Sequence, residues 1–305
     1  MRTMVRAVAT AVATASALLL TVASAHAQAY SPATAYAAPK PAPAQNCGAT
    51  IYKTNGTAWV CSFDDEFTGT SLNTARWLPV TTAMNGQTAA GGCFVNSPNN
   101  ISVANGVLSL TTRKEATPFT CKTPTGSFQT QISSSQVATY GHFSQTWGRF
   151  EVRAKFPATT LAGLQSSLWM WPENNILSGT TGEIDIAEWY SAYQNHAIPY
   201  LHYLYNTTTA SLATDTNLVT NNNCVMNDTS QFHSYTVTWL SNYFKIDYDG
   251  VNCLTDYAVP TGTSPFNQPF FVALGQGMGV GKNAYVDGTT PLPATTQIDY
   301  VRAWK

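Results

Sequence analysis

Glu183-Ile-Asp-Ile-Ala-Glu188 gathers three of the chain's sixteen acidic residues into six consecutive positions. At that composition a window of this length holds about 0.3 acidic residues, so the cluster is an excess. The residues between the acids, Ile184, Ile186 and Ala187, belong in a core. Carboxylates so placed can do one of three things: work as a nucleophile and general acid on a glycosidic bond, hold a cation, or face water from a half-exposed strand. Regular alternation does not deliver the last. Glu183 and Asp185 share one strand face, whereas Glu188, an odd number of residues from both, points the other way. A single β-bulge near Ile186-Ala187 adds one residue and returns Glu188 to the common face. The two glutamates then stand about four strand steps apart, roughly 13 Å. Side chains leaning together close most of the distance to the ~5–5.5 Å used by retaining glycosidases; inverting enzymes need more room for a water. Three carboxyls this close do not all ionise at neutral pH without cost, so at least one keeps a proton, as a general acid must. Calcium loops interleave Asp with Asn and Gly in irregular backbone, not with Ile in a strand, which favours catalysis over metal binding.

The elements that must position these acids have a period of two. Phe150, Val152, Ala154 and Phe156 alternate with Arg149, Glu151, Arg153 and Lys155, a charged face read as an outer, solvated one. Phe244, Ile246 and Tyr248 alternate in the same way before Asp249-Gly250, and Asn105-Gly106 precedes Val107-Leu-Ser-Leu110. Both dipeptides predict hairpin turns. Beyond the N-terminal segment no long stretch has helical spacing. Many short strands punctuated by Gly, Pro and Asn predict an all-β chain folded as an antiparallel sandwich or barrel.

Composition narrows the partners. Of 305 residues 44% are hydrophobic, enough for a full-sized core, while 10% are charged and the net charge is −1. Such a balance gives no reason to expect nucleic acid or an acidic surface. Aromatics at 12% suit an uncharged ligand. Arg2 and Arg6, the apolar run Ala7 to Val22 and three A-x-A sites ending at Ala25, Ala27 and Ala29 read as a secretory signal over residues 1–27. That run is too short for a membrane anchor, and no membrane association is expected. A Pro/Ala-rich linker follows over 28–45, then one domain over 46–305. Cys47, Cys61, Cys93, Cys121, Cys224 and Cys253 fit an oxidising, extracellular setting. None is part of a CxxC pair, so no zinc site is expected; of the fifteen possible pairings the simplest is between neighbours, 47–61, 93–121 and 224–253. Asn55, Asn100, Asn206 and Asn227 head acceptor sequons for N-glycosylation.

Gly182-Glu-Ile-Asp-Ile-Ala-Glu188 resembles the active-site signature of glycoside hydrolase family 16, in the bulged form E-x-D-x-x-E of laminarinase-like and agarase-like members. Phe63-Asp-Asp-Glu-Phe through Arg76-Trp77, Trp147-Gly-Arg-Phe through Phe156-Pro157, Phe232-His-Ser-Tyr through Trp239 and Ile298-Asp-Tyr-Val-Arg-Ala-Trp304 resemble further landmarks of the family, in order. The resemblance implies a β-jelly-roll sandwich of two curved antiparallel sheets, with a polysaccharide lying across the concave face. It implies Glu183 as nucleophile, Glu188 as acid/base and Asp185 as the residue that holds and tunes the nucleophile. The expected activity is retaining endo-hydrolysis of a β-linked glycan, β-1,3-glucan first; a galactanase, a transglycosylase and a non-catalytic lectin are the alternatives. A monomer that requires no cofactor is expected, with a structural calcium near Glu66 and Asp299 as an option. Trp169, Trp171, Trp189 and Tyr190 are candidate sugar-stacking residues, and His202 resembles a histidine placed near the reacting sugar. The chain departs from the laminarinase-like pattern where Gln165 and Ser166 stand at the usual Trp-Pro positions. Ser178-Gly-Thr-Thr181 lacks a Trp before the motif, and Leu274-Gly-Gln-Gly-Met-Gly279 replaces an Asn-containing stretch.

Overall fold

The computed structural model describes residues 46–174, 180–206, 218–259, 261–262 and 265–305. The expected signal segment, the linker, positions 178–179 and the last two residues of the 206–208 sequon lie outside the described residues. Among the described residues alternating sequence becomes strand nearly everywhere, with one four-residue α-helix, α1, at Thr82–Asn85 and short 3-10 turns at Ser191–Tyr193 and Gly281–Asn283. In chain order the strands are β1 (Cys61–Asp65), β2 (Leu78–Pro79), β3 (Thr88–Ala89), β4 (Gly92–Phe94), β5 (Ile101–Ala104), β6 (Val107–Thr123), β7 (Gly126–Ala138), β8 (Gly148–Lys155) and β9 (Leu164–Pro172). They continue as β10 (Thr180–Tyr190), β11 (Ile198–Asn206), β12 (Leu218–Thr220), β13 (His233–Leu240), β14 (Tyr243–Tyr248), β15 (Val251–Asp256), β16 (Phe270–Met278) and β17 (Ala294–Trp304).

Pairing divides these strands between two layers. One runs β2-β7-β16-β9-β10-β11-β12, antiparallel throughout. The other runs β17-β8-β13-β14-β15, with β1, β6 and β5 completing it on the far side of β17. The long β6–β7 hairpin joins the layers at one edge. Alternate residues of both layers meet in one core: Leu168, Met170, Ile184, Leu201 and Leu274 from the first face Phe150, Val152, Tyr235, Val237 and Ile298 from the second. This is the sandwich that the period of two predicts.

Local expectations hold as well. Asn105-Gly106 and Asp249-Gly250 have φ of 54°, 76°, 49° and 77°, the left-handed pairs that a tight hairpin requires. Arg149, Glu151 and Arg153 lie on the outer side of β8, where Arg149 pairs with Glu151 at 2.7 Å and Arg153 with Asp299. Glu66 is held by Arg302 through two hydrogen bonds. Both carboxylates named for calcium therefore have guanidinium partners. Among the described residues no three His, Cys, Asp or Glu side chains converge as a metal site. The cysteines pair as neighbours: Cys47–Cys61, Cys93–Cys121 and Cys224–Cys253. Among the described residues no helix is long and apolar enough to cross a membrane.

Candidate active site

β10 lies between β9 and β11 in the first layer, and its pairing shows how the acids come together. Along β9, Asp185 is opposite Trp169 and Ala187 opposite Leu168, so Ile186 is an extra residue with no partner. Along β11 the register shifts in the same interval, Asp185 facing Tyr200 and Glu188 facing Ile198. The bulge that the odd spacing demands is therefore present where it was expected. Ile184, Ile186 and Ala187 all point into the core. The freed carbonyl of Ile186 accepts a 3.0 Å hydrogen bond from the Tyr248 hydroxyl, which reaches across the sandwich from β14. No local pattern announces Tyr248, which is 62 residues away in sequence.

The bulge leaves Glu183, Asp185 and Glu188 on the outer face of the layer. All three are buried, at 2%, 1% and 2% exposure. Opposite Glu183 on β11 is His202; its Nε2 lies 3.4 Å from Asp185 Oδ2, and its ring stacks on Tyr200. Glu188 is gripped at both oxygens. Gln165 Nε2 donates to Oε1 at 2.8 Å and the Tyr190 hydroxyl donates to Oε2. Burial first, and the neighbouring Asp185 charge second, push the Glu188 carboxyl up to about 8, against the opposing pull of Tyr190, His202 and Gln165. A carboxyl with that value carries its proton at neutral pH and can give it up. Burial, with the charge of Glu188 next, also raises Tyr190 and Tyr200, so both stay neutral donors.

The aromatic expectations divide. Trp169 and Trp171 lie on the carboxylate face, as their shared parity allows, but they are 1% and 2% exposed. They pack with Val80, Ala138, Phe271 and Ala273 in a separate apolar cluster, so neither offers an open ring to a sugar. Trp189 is a correction. It follows Glu188 directly, so it points to the opposite face, where it stacks on Phe156 in the core and donates to the Gln194 carbonyl. Tyr190 is the residue of that pair on the carboxylate side. Beyond it opens a 390 Å³ cavity lined by Tyr190, Tyr193, His196, Ile198, Tyr200 and Lys282, among others. Sequence reasoning missed Tyr200 and Tyr193, although Tyr200 shares the parity of His202. It also treated Gln165 as a missing sugar platform; the structure makes it a ligand of Glu188.

The chain is 27% identical over 265 residues to glucan endo-1,3-beta-glucosidase A1 of Niallia circulans, covering 80% of this chain and 37% of that protein. It is 31% identical over 176 residues to the keratan-sulfate endo-1,4-beta-galactosidase of Sphingobacterium multivorum, covering 55% and 39%. The chain thus spans about two fifths of the length of these relatives. Its fold matches the catalytic domain of the endo-1,3-beta-glucanase (laminarinase) of Thermotoga petrophila with a TM-score of 0.66, at 23% identity, covering 81% of this chain and 98% of that one. Residues 92–301 match the model of glycosyl hydrolases family 16, and the chain belongs to that family.

Proposed function

We propose that this protein is a secreted retaining endo-glycosidase acting on a β-linked polysaccharide, with β-1,3-glucan the leading substrate. The observation that carries the reading is the bulge at Ile186, which puts Glu183, Asp185 and Glu188 on one face with a protonated Glu188 among them. In the first step a Glu183 carboxylate oxygen attacks the anomeric carbon. The glycosidic C–O bond breaks with its electron pair on the leaving oxygen, which takes the Glu188 proton. In the second step Glu188, now ionised, removes a proton from water as that water displaces Glu183 from the anomeric carbon. Two inversions retain the configuration. Asp185, beside His202, tunes the charge of the pair. The relative that acts on 1,3-glucan supports the linkage, and three disulfides support an exported protein.

A β-galactan is the second reading. The relative named for keratan sulfate favours it, as does the polar Gln165 where laminarinase-like chains often carry Trp. Reducing-sugar release across laminarin, lichenan, agarose, carrageenan and xyloglucan separates the two. Glu183→Gln is expected to abolish release from whichever polymer is cut while polymer binding persists; undiminished hydrolysis by that variant would defeat the assignment.

A further inference from the structure

An acid/base needs its proton on the oxygen that faces the leaving group. Glu188 is held by two donors of different character. An amide N–H donates and never accepts, so Oε1, bound to Gln165 Nε2, remains an acceptor whether Glu188 is charged or neutral. A phenol hydroxyl rotates and can also accept, so a proton on Oε2 is compatible with Tyr190.

Gln165 is itself fastened from behind. Its backbone carbonyl accepts Gln276 Nε2 at 3.3 Å. Gln276 Oε1 accepts the hydroxyls of Ser166 at 2.7 Å and Thr296 at 2.6 Å. Ser166, Gln276 and Thr296 are each 0% exposed, on β9, β16 and β17. Two of the three places where the chain departs from the laminarinase-like pattern, Gln165-Ser166 and the 274–279 stretch through Gln276, are thus one hydrogen-bonded unit behind the acid.

We propose that Gln165, locked by the Ser166–Gln276–Thr296 cluster, is a positioning residue that keeps the transferable proton of Glu188 on Oε2. The inference rests on the acid/base role proposed for Glu188 and names what orients it. The Oε2–H bond breaks as the leaving oxygen takes the proton and re-forms when water gives one up. Besides the Gln165 amide from β9, the groups whose charge acts on or responds to Glu188 include Asp185 and Tyr190 on its own strand, His202 and Tyr200 on β11 and, from the core side, Tyr248 on β14.

The test uses the full-length protein and the polysaccharide of the screen that it cleaves fastest. Gln165→Met keeps the bulk and removes the donor. It is expected to lower kcat roughly tenfold or more, with KM changed less than about twofold. The alkaline limb of the pH profile is expected to move upward, because the carboxylate form loses a donor. Ser166→Ala, which loosens the clamp but leaves the amide, should move both readouts the same way by less. That variant carries the test if Gln165→Met does not fold. Wild-type kcat and pH profile in folded Gln165→Met, or in Ser166→Ala if it alone folds, overturn the inference. Glu188→Ala is run alongside on an aryl β-glycoside, whose leaving group departs without an acid, with azide as an external nucleophile in place of base-activated water. An inactive Glu188→Ala that azide revives, beside an unaffected Gln165→Met, removes only the positioning role. An active Glu188→Ala removes the acid/base reading itself.

Discussion

His202 Nε2 stands 3.4 Å from Asp185 Oδ2, and the two residues sit on adjacent strands, each buried. Asp185 Oδ1 has no hydrogen-bond partner among the described residues, so the imidazole is an important part of what offsets this carboxylate's burial. The charge of His202 also pulls Glu188 downward. His202→Gln should therefore lower kcat/KM about tenfold and shift its alkaline limb to higher pH. An unshifted limb in initial-rate measurements would take His202 out of the electrostatics of the site.

Glu188 makes stability depend on pH. Its folded value of about 8 exceeds the ordinary value of 4.5 because of burial, then Asp185. The folded chain thus holds this proton more tightly than the unfolded chain does. The stability so contributed is complete below the ordinary value and is lost as pH rises through the folded one. Unfolding free energy from denaturant titrations should fall between about pH 5 and 9 in the wild type, and Glu188→Gln should flatten that slope. A slope identical in both proteins would contradict the raised value. The alkaline limb of wild-type kcat/KM is expected in the same region, near 8.

How far the sequence carried these conclusions depends on the range of each interaction. Alternation is local, and it placed Phe150, Val152 and Ala154 inward and their charged neighbours outward. The parity conflict in the six-residue acid stretch was enough to demand a bulge and to locate it. The same rule sends Trp189 to the core once Glu188 is on the outer face, so that misplacement came from weighting residue type over phase. What alternation does not encode is which distant strand supplies a partner. Tyr248, Gln165 and Gln276 reach the motif or its supports over 62, 23 and 111 residues. Their roles emerge only when the pairing of β9, β10, β14 and β16 is known.

Tyr193 and Trp189 should respond oppositely to truncation. Tyr193 is 45% exposed at the cavity, so Tyr193→Ala is expected to raise KM severalfold through lost sugar stacking and to change stability by about 0.5 kcal/mol or less. Trp189 is fully buried against Phe156, so Trp189→Ala should cost about 3–5 kcal/mol and leave the KM of the folded fraction alone. Thermal unfolding and steady-state kinetics on both variants check the pair. A KM effect confined to Trp189→Ala would reverse their roles.

Gly182 shows how tightly the motif is seated. A Cβ at this position would come within 2.6 Å of the Pro265 ring and 2.9 Å of the Phe266 ring, closer than packed carbons approach. Phe266 is itself wedged among Trp239, Phe244 and Phe270, so it has little room to retreat. Gly182→Ala must therefore push the start of the motif, and with it Glu183, away from these rings. Overpacking of this kind costs about 1–3 kcal/mol. Because the displacement falls on the proposed nucleophile, kcat should drop by a larger factor than stability alone explains. Near-attack geometry is sensitive to shifts of about 1 Å, worth on the order of a hundredfold in rate. Gly182→Ala measured beside Phe266→Leu, which shortens the opposing ring, tests this directly. The double variant should recover part of the lost kcat, and a double variant no faster than Gly182→Ala would show that the Phe266 ring is not what displaces Glu183, leaving the closer Pro265 contact.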